Sequence, residues 1–287
     1  MKTLIINSTN YVIGSQNAYS YRFPQTTKFQ AGCAIGVAGI SMFNSFQNIN
    51  VIRQNNKVTF VFLGLSYTWT IPDGYYSVDS LNYYFQSQCI LNNLYVTTNN
   101  GLNFIYFIEL QLNTARYSTS LNFFAIPTSA QASGLGYSQP SGATWSYPSV
   151  ATTPTLTFNQ NFGNLIGITF GTYPTTLTST NIQYLSTFTP IINPINSVIF
   201  CCNLISSKYS IPNNILYTLP VSSSLGTIIQ DKANSVVFNN IIPQVFSTIE
   251  ITLFDQAFNP IIIIDPELVL TLIISEPSDL ITPVQIH

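Results

Sequence analysis

The chain has 287 residues, enough to bury a full core and long for one compact β-domain, so its length admits one large domain or two small ones. Only 6% of its residues are charged, against about 25% in ordinary proteins, while 46% are hydrophobic; no apolar run approaches the ~18 residues of a membrane-spanning helix. Net charge is −2, with eight cationic residues scattered from Lys2 to Lys232, which excludes a role built on neutralising phosphates; no nucleic-acid specificity is expected.

In chain order, Leu4-Ile5-Ile6 gives way at once to polar residues, too short a run for a secretory signal, so the Asn7-Ser8-Thr9 sequon reads as a chance match. Residues 1–30 are expected to form an N-terminal arm. An apolar strand is expected at 36–43. Gly32, Gly36 and Gly39 near it have the wrong spacing for a dinucleotide fingerprint and suit a bulged or closely approached strand. After an Asn55-Asn56 turn, Val58, Phe60 and Phe62 alternate with Lys57, Thr59 and Val61, the period of a strand with one apolar face.

Residues 77–92 differ. Val78, Leu81, Phe85 and Cys89 fall at helical spacing, Ser77 can cap the first turn and Asp79 sits favourably in it. This predicts one short helix of about four turns, the only helix expected. Short strands are expected at 104–112, 165–170, 197–204 and 235–238. Residues 127–154, rich in Ser, Gly, Pro, Ala and Tyr, read as a long loop or insertion. Ile249, Ile251 and Leu253 alternate with Thr248, Glu250 and Thr252, and a polar link at 255–260 leads to apolar runs at 261–264 and 268–274. The last run is apolar on both faces, which predicts a strand buried on both sides or facing a partner. Many short strands separated by turn residues point to a sandwich or barrel.

Little in the chain can do chemistry. The only His is His287, the last residue given, which removes the usual His-activated nucleophiles and His-based metal sets. No phosphate-cradling motif is present. Cys33, Cys89, Cys201 and Cys202 have the spacing of neither a disulfide framework nor a zinc site and are expected to be buried free thiols. Acids recur at Asp73 and Asp79 and at Asp255, Asp265 and Glu267, but Pro72-Asp73-Gly74 and Asp265-Pro266 are turn chemistry, and a calcium ion on Asp265 and Glu267 would lack a ligand loop. No catalytic residue, cofactor or metal is predicted, and the chain is not expected to be an enzyme. A weakly charged surface is poorly protected against association. That suits a subunit whose faces are covered by neighbours, and a biased codon usage accounts for the composition equally well.

Particular strings carry more. Asn44-Ser45-Phe46-Gln47-Asn48-Ile49 precedes Asn55-Asn56, a strand, and Ile71-Pro72-Asp73-Gly74-Tyr75-Tyr76-Ser77-Val78. Toward the C-terminus, Cys202-Asn203-Leu204-Ile205 precedes Ser210-Ile211-Pro212, and Phe254-Asp255-Gln256 precedes Asn259-Pro260-Ile261 and Ile264-Asp265-Pro266. This order resembles the capsid proteins of virophages and Polinton (Maverick) elements across roughly residues 31–276. The fold signature is carried by Asn44, Ser45, Asn48, Pro72, Gly74, Tyr75, Asp255, Pro260, Asp265 and Pro266.

The resemblance implies an all-β fold: a single jelly-roll β-sandwich over 31–276, with an insertion near 127–154 and a C-terminal tail at 277–287. The family's major capsid protein carries two jelly rolls in tandem at about twice this length, so a chain of this size resembles the vertex (penton) protein. That implies a homopentamer in an icosahedral virion, assembled inside the infected host cell. Its neighbours would be trimers of the double jelly-roll major capsid protein, with a minor capsid protein as a further partner. Residues 127–154, uncharged and rich in turn formers, would decorate the outside, and the termini, 1–29 and 275–287, would contact neighbouring major-capsid trimers or the inside of the shell. The alternatives are a minor capsid protein and a lectin-like attachment protein, whose exposed aromatics would be Tyr137 and Trp145.

Overall fold

The computed structural model describes residues 1–15, 17–98, 101–263 and 267–277. Its strands begin with β1 (Lys2–Ile6), β2 (Ala18–Lys28) and β3 (Ala34–Phe43). Then come β4 (Lys57–Phe62), β5 (Leu65–Thr70), β6 (Tyr95–Thr98), β7 (Asn103–Tyr106), β8 (Ile108–Asn113), β9 (Ser118–Phe123), β10 (Thr155–Phe158), β11 (Gly171–Tyr173) and β12 (Ile182–Leu185). The last are β13 (Ser197–Cys202), β14 (Ile215–Pro220), β15 (Ile228–Lys232), β16 (Phe238–Asn240), β17 (Val245–Phe254) and β18 (Val269–Ser275). Helices are α1 (Val78–Leu91), α2 (Ser129–Gly134) and α3 (Gln160–Ile166). The chain divides into two compact units, one of Met1–Phe46 with Ile195–His287, the other Gln47–Pro194.

The first unit has two antiparallel sheets, ordered β1–β18–β3–β15, with β16 also on β3, and β2–β17–β13–β14. Counting β15 and β16 as one, its eight strands in chain order fall as 1-8-3-6 in one sheet and 2-7-4-5 in the other. That is the winding of a jelly roll, complete within this unit. Strand alternation builds the core: Ile249, Ile251 and Leu253 of β17 lie on the same face as Val198, Phe200 and Cys202 of neighbouring β13 and share one core with Leu270 and Leu272 of β18 in the other sheet.

Residues 1–30, expected to be an arm, instead hold the roll's first two strands, with Ile6 and Tyr19 fully buried. Both are edge strands, and their burial lacks clean alternation: β1 buries only Ile6, and β2 carries Pro24 in a largely exposed half. Edge strands tolerate such irregularity, which hides them from a period-two search. The closely approached strand expected at the glycines is β3. A Cβ on Gly36 would lie 2.3 Å from Val236 Cγ1 and 2.7 Å from the Val237 carbonyl, and the β3–β18 register shifts between Thr271 and Leu272. Of the run expected at 235–238 only Phe238 pairs, opposite Gly36.

The second unit is a string of local hairpins, β4–β5, β6–β7, β8–β9 and β10–β11, merged by β10 on β4 and β12 on β9 into sheets β11–β10–β4–β5 and β12–β9–β8. The expected helix is α1. Ser77 Oγ accepts from the Ser80 amide (3.1 Å), Val78, Leu81, Phe85 and Cys89 are buried, and Asn82 Oδ1 accepts from the Leu110 amide of β8 (2.9 Å). Two helices were not expected. Thr128 and Gln131 form a capping box that starts α2. Asn159 caps α3, and Gly167, at φ +74°, ends it. The run at 165–170 is therefore no strand: Leu165 and Ile166 close α3, whose buried Phe162, Leu165 and Ile166 follow helical spacing. The run at 104–112 breaks at Phe107, which turns into the core against Phe62 (ring centroids 5.9 Å).

Candidate functional site

Each unit holds its own share of the signature residues, in loops on either side of the points in the sequence where one unit gives way to the other. In the second unit, Asn48 is buried. Its Nδ2 donates to the Tyr76 carbonyl (2.8 Å) and the Ile192 carbonyl (2.9 Å), and its Oδ1 accepts from the Tyr76 amide (2.8 Å). The Asn48 and Ile49 amides donate to the Gly74 carbonyl (3.1 and 3.0 Å), and the Gly74 amide donates to Ile49 (2.9 Å). Asn55 Nδ2 donates to the Asn48 carbonyl (2.7 Å) and its Oδ1 accepts from the Asn50 amide (3.0 Å). Val51 donates its amide to Asp73 Oδ1 (3.1 Å), and the Tyr75 hydroxyl donates to Asn193 Oδ1 (2.7 Å). One amide-rich cluster thus ties the first residues of the unit to the turn around Pro72 and to its last residues. Neutral side chains make these bonds in a chain with few charges. The φ of Gly74 lies outside the left-handed region. A Cβ there would sit 3.2 Å from the Tyr76 ring, so closeness of the ring explains the glycine.

The first unit has its own clamps. Asn44 Nδ2 donates to the Ser223 carbonyl (2.8 Å) and its amide donates to Thr227 (2.9 Å), which ties the end of β3 to the β14–β15 loop. The Ser45 amide donates back to Phe43 (3.0 Å). Where the chain returns, the Asn196 amide donates to Gln256 Oε1 (3.3 Å) of the β17–β18 loop. That loop is built on buried Asp255, whose Oδ1 accepts from the Ala257 and Asn259 amides (2.9 Å each) while Asn259 Nδ2 donates to both carboxylate oxygens (3.2 and 3.1 Å). Pro260 bridges Phe254 and the Ile261 amide donates to Leu253 (3.2 Å). Asp265, Pro266 and His287 lie outside the described residues.

These groups hold loops. Asp73 and Asp255 bond to backbone amides, and Asp79 stands in the first turn of α1. Among the described residues no three His, Cys, Asp or Glu side chains gather. All four cysteines are buried and free. Burial pushes the Cys89 and Cys202 thiols up from 9.0 to about 12, so both stay protonated at neutral pH and are poor nucleophiles.

The sheets' outer faces differ in chemistry. Leu270, Leu272 and Ile274 of β18 face the core, which leaves Val269, Thr271 and Ile273 outward. By register, Ile5 lies beside Thr271, Thr3 beside Ile273, Ser41 beside Val269, and Ile228 beside Phe43 on the same side. On the other sheet the outward pairs between β2 and β17 are Arg22 with Thr248, Ser20 with Glu250 and Ala18 with Thr252, while Ile199 and Cys201 of β13, on the same side, are buried. Sequence alone indicated the doubly apolar β18 but missed Ile5, which had been assigned to an arm. The aromatics marked for a lectin-like surface are not open: Trp145 is buried, its Nε1 donating to the Asn93 carbonyl (2.6 Å), and Tyr137 is half-buried.

No family model matches the chain, and no curated protein matches it by sequence. Among solved structures it is similar to the mavirus penton protein, at 10% identity over 96% of this chain and 97% of that one, TM-score 0.39. It is also similar to a chain of the Sputnik virophage structure solved by cryo-EM, at 11% identity over 96% and 98%, TM-score 0.38. A likeness at this level carries no argument for fold or function.

Proposed function

We propose that the chain is a structural virion protein, the vertex (penton) subunit of a virophage- or Polinton-type icosahedral capsid, which assembles as a homopentamer. The observation that carries this reading is the count of jelly rolls: one complete eight-strand winding in the first unit, and hairpins rather than a second roll in the described part of the other. A single roll separates the vertex protein from the tandem-roll major capsid protein of the family that the sequence strings resemble. Supporting it, eight of the ten signature residues lie in or beside the loop clamps described above, as expected of residues that preserve a fold.

In this reading the first unit is the capsid-forming part, the segment 47–194 between β3 and β13 is the decoration, and 127–154 lies on its outer side. Residues 2–28 are tied into the sandwich by β1 and β2, so the N-terminus meets neighbouring major-capsid trimers through the sandwich rather than as a free arm. The protein resides in the virion after assembly in the infected cell and carries out no reaction. Averaged electron-microscope images of the purified protein test the proposal: five-fold rings are expected, and two- or three-fold particles overturn it. Brief protease treatment of intact particles, read by mass, should cut within 127–154; cuts confined to the termini contradict that placement.

A further inference from the structure

Resting on the vertex reading, we propose that the outward face of the β1–β18–β3–β15 sheet is where one copy of the chain seats on the next. Three side chains on it are large, apolar and half-open: Ile5 is 53% exposed, Val269 46% and Ile228 47%. Ile273 and Phe43 lie on the same side, half-buried among them by register. On β1, β18 and β3 no charged side chain points outward between the Lys2–Glu276 ion pair at one end and Phe43 at the other; on the edge strand β15 the exposed Lys232, opposite Gly39, and Gln230, opposite Ser41, share the face with Ile228. β3 contributes only Gly39 and Ser41 along the middle, a low floor between the ridges of β18 and β15 that lets another surface approach closely.

Size and composition fit a subunit contact. Four strands about 4.8 Å apart, over the roughly 23 Å length of β18, span about 330 Å². A stable interface covers about 800 Å² per partner. The face therefore supplies the apolar, charge-depleted centre of such a contact, with a polar rim from surfaces around it. The occupant is a second copy of this chain rather than another capsid protein. A closed ring covers this face once in every copy. A foreign partner would leave it open until the shell forms, in a protein whose 6% charge gives little protection against aggregation. The other sheet is charged on the outward side of β2 and β17, with Arg22 and Glu250, and the apolar Ile199 and Cys201 on the outward side of β13 are already buried.

The test compares the light-scattering mass of the wild-type protein with that of I5K/V269K and, separately, I228K. Far-UV circular dichroism and melting temperature report folding. The wild type is expected as a five-copy species and both variants as folded single copies. Variants that keep the five-copy mass overturn this inference and leave the ring standing; a single-copy wild type removes both. Should lysine prevent folding, T271C replaces it. Its labelling by a maleimide in the assembled protein should be at least tenfold slower than that of Y209C, at a loop position 99% exposed. Equal rates overturn the inference.

Discussion

Asn48 is the residue on which the second unit's ends depend most. Its side chain satisfies one backbone amide and two carbonyls in two distant stretches of chain, at Tyr76 and at Ile192, where water cannot substitute freely. Leaving a buried polar group unpaired costs about 1–3 kcal/mol. N48A should therefore destabilise the protein by roughly 2–4 kcal/mol in urea unfolding, whereas N193A, which removes one partly exposed bond to Tyr75, should cost under about 1 kcal/mol. Equal effects would contradict the clamp. Cys89 and Cys202 make a pH prediction. Their folded values near 12 stand above the ordinary 9.0, so the folded state holds protons that the unfolded state has lost. Their contribution is whole below about pH 9 and disappears as pH rises from there toward 12. Melting temperature should fall over that window, and C89A/C202A should flatten the fall. At pH 8 native protein should react slowly with a thiol reagent and release all four thiols only on unfolding.

At the scale of elements, α3 is held by close backbone approach. A Cβ on Gly163 would lie 2.5 Å from the Ile168 carbonyl and 3.2 Å from the Phe170 amide. G163A should destabilise by about 1–3 kcal/mol, measured by thermal melting, because backbone rather than a pliable side chain must move. G101A, at an open turn, should cost about 1 kcal/mol or less, set by its φ of +90° alone. The same helix marks a boundary of what the sequence reveals. α1 was legible because four apolar residues at helical spacing agreed with a Ser cap. α3 offered three apolar positions and ended in a run that alternates like a strand, so its Asn159 and Gly167 caps were the better signal. β4, β17 and β18 were legible from alternation or from a doubly apolar run, whereas β1 and β2 were not, because edge strands need not alternate. For the candidate site, Asn48 and Tyr75 were legible as signature residues, but the reach of Asn48 to Ile192 and of Tyr75 to Asn193 was not. Sequence spacing says nothing about contacts over 144 residues.

For the whole molecule, the winding of the first unit is closed around an interruption. β3 and β13 are consecutive strands of the roll although residues 47–194 intervene between them, and clamps at Asn44 and Asn196 hold both points of passage. The sandwich is thus completed by strands of one unit alone. Deleting residues 127–154 should accordingly leave the oligomer's copy number unchanged, since that segment belongs to the other unit; a change in copy number would assign it to assembly rather than decoration. The central claim, a ring of five identical subunits, is tested most directly by the mass of the purified protein in solution, measured by light scattering on a sizing column. With a chain of 31.8 kDa the account predicts about 159 kDa, five times that value. A species at 31.8 kDa, or one near three times it, would contradict the account.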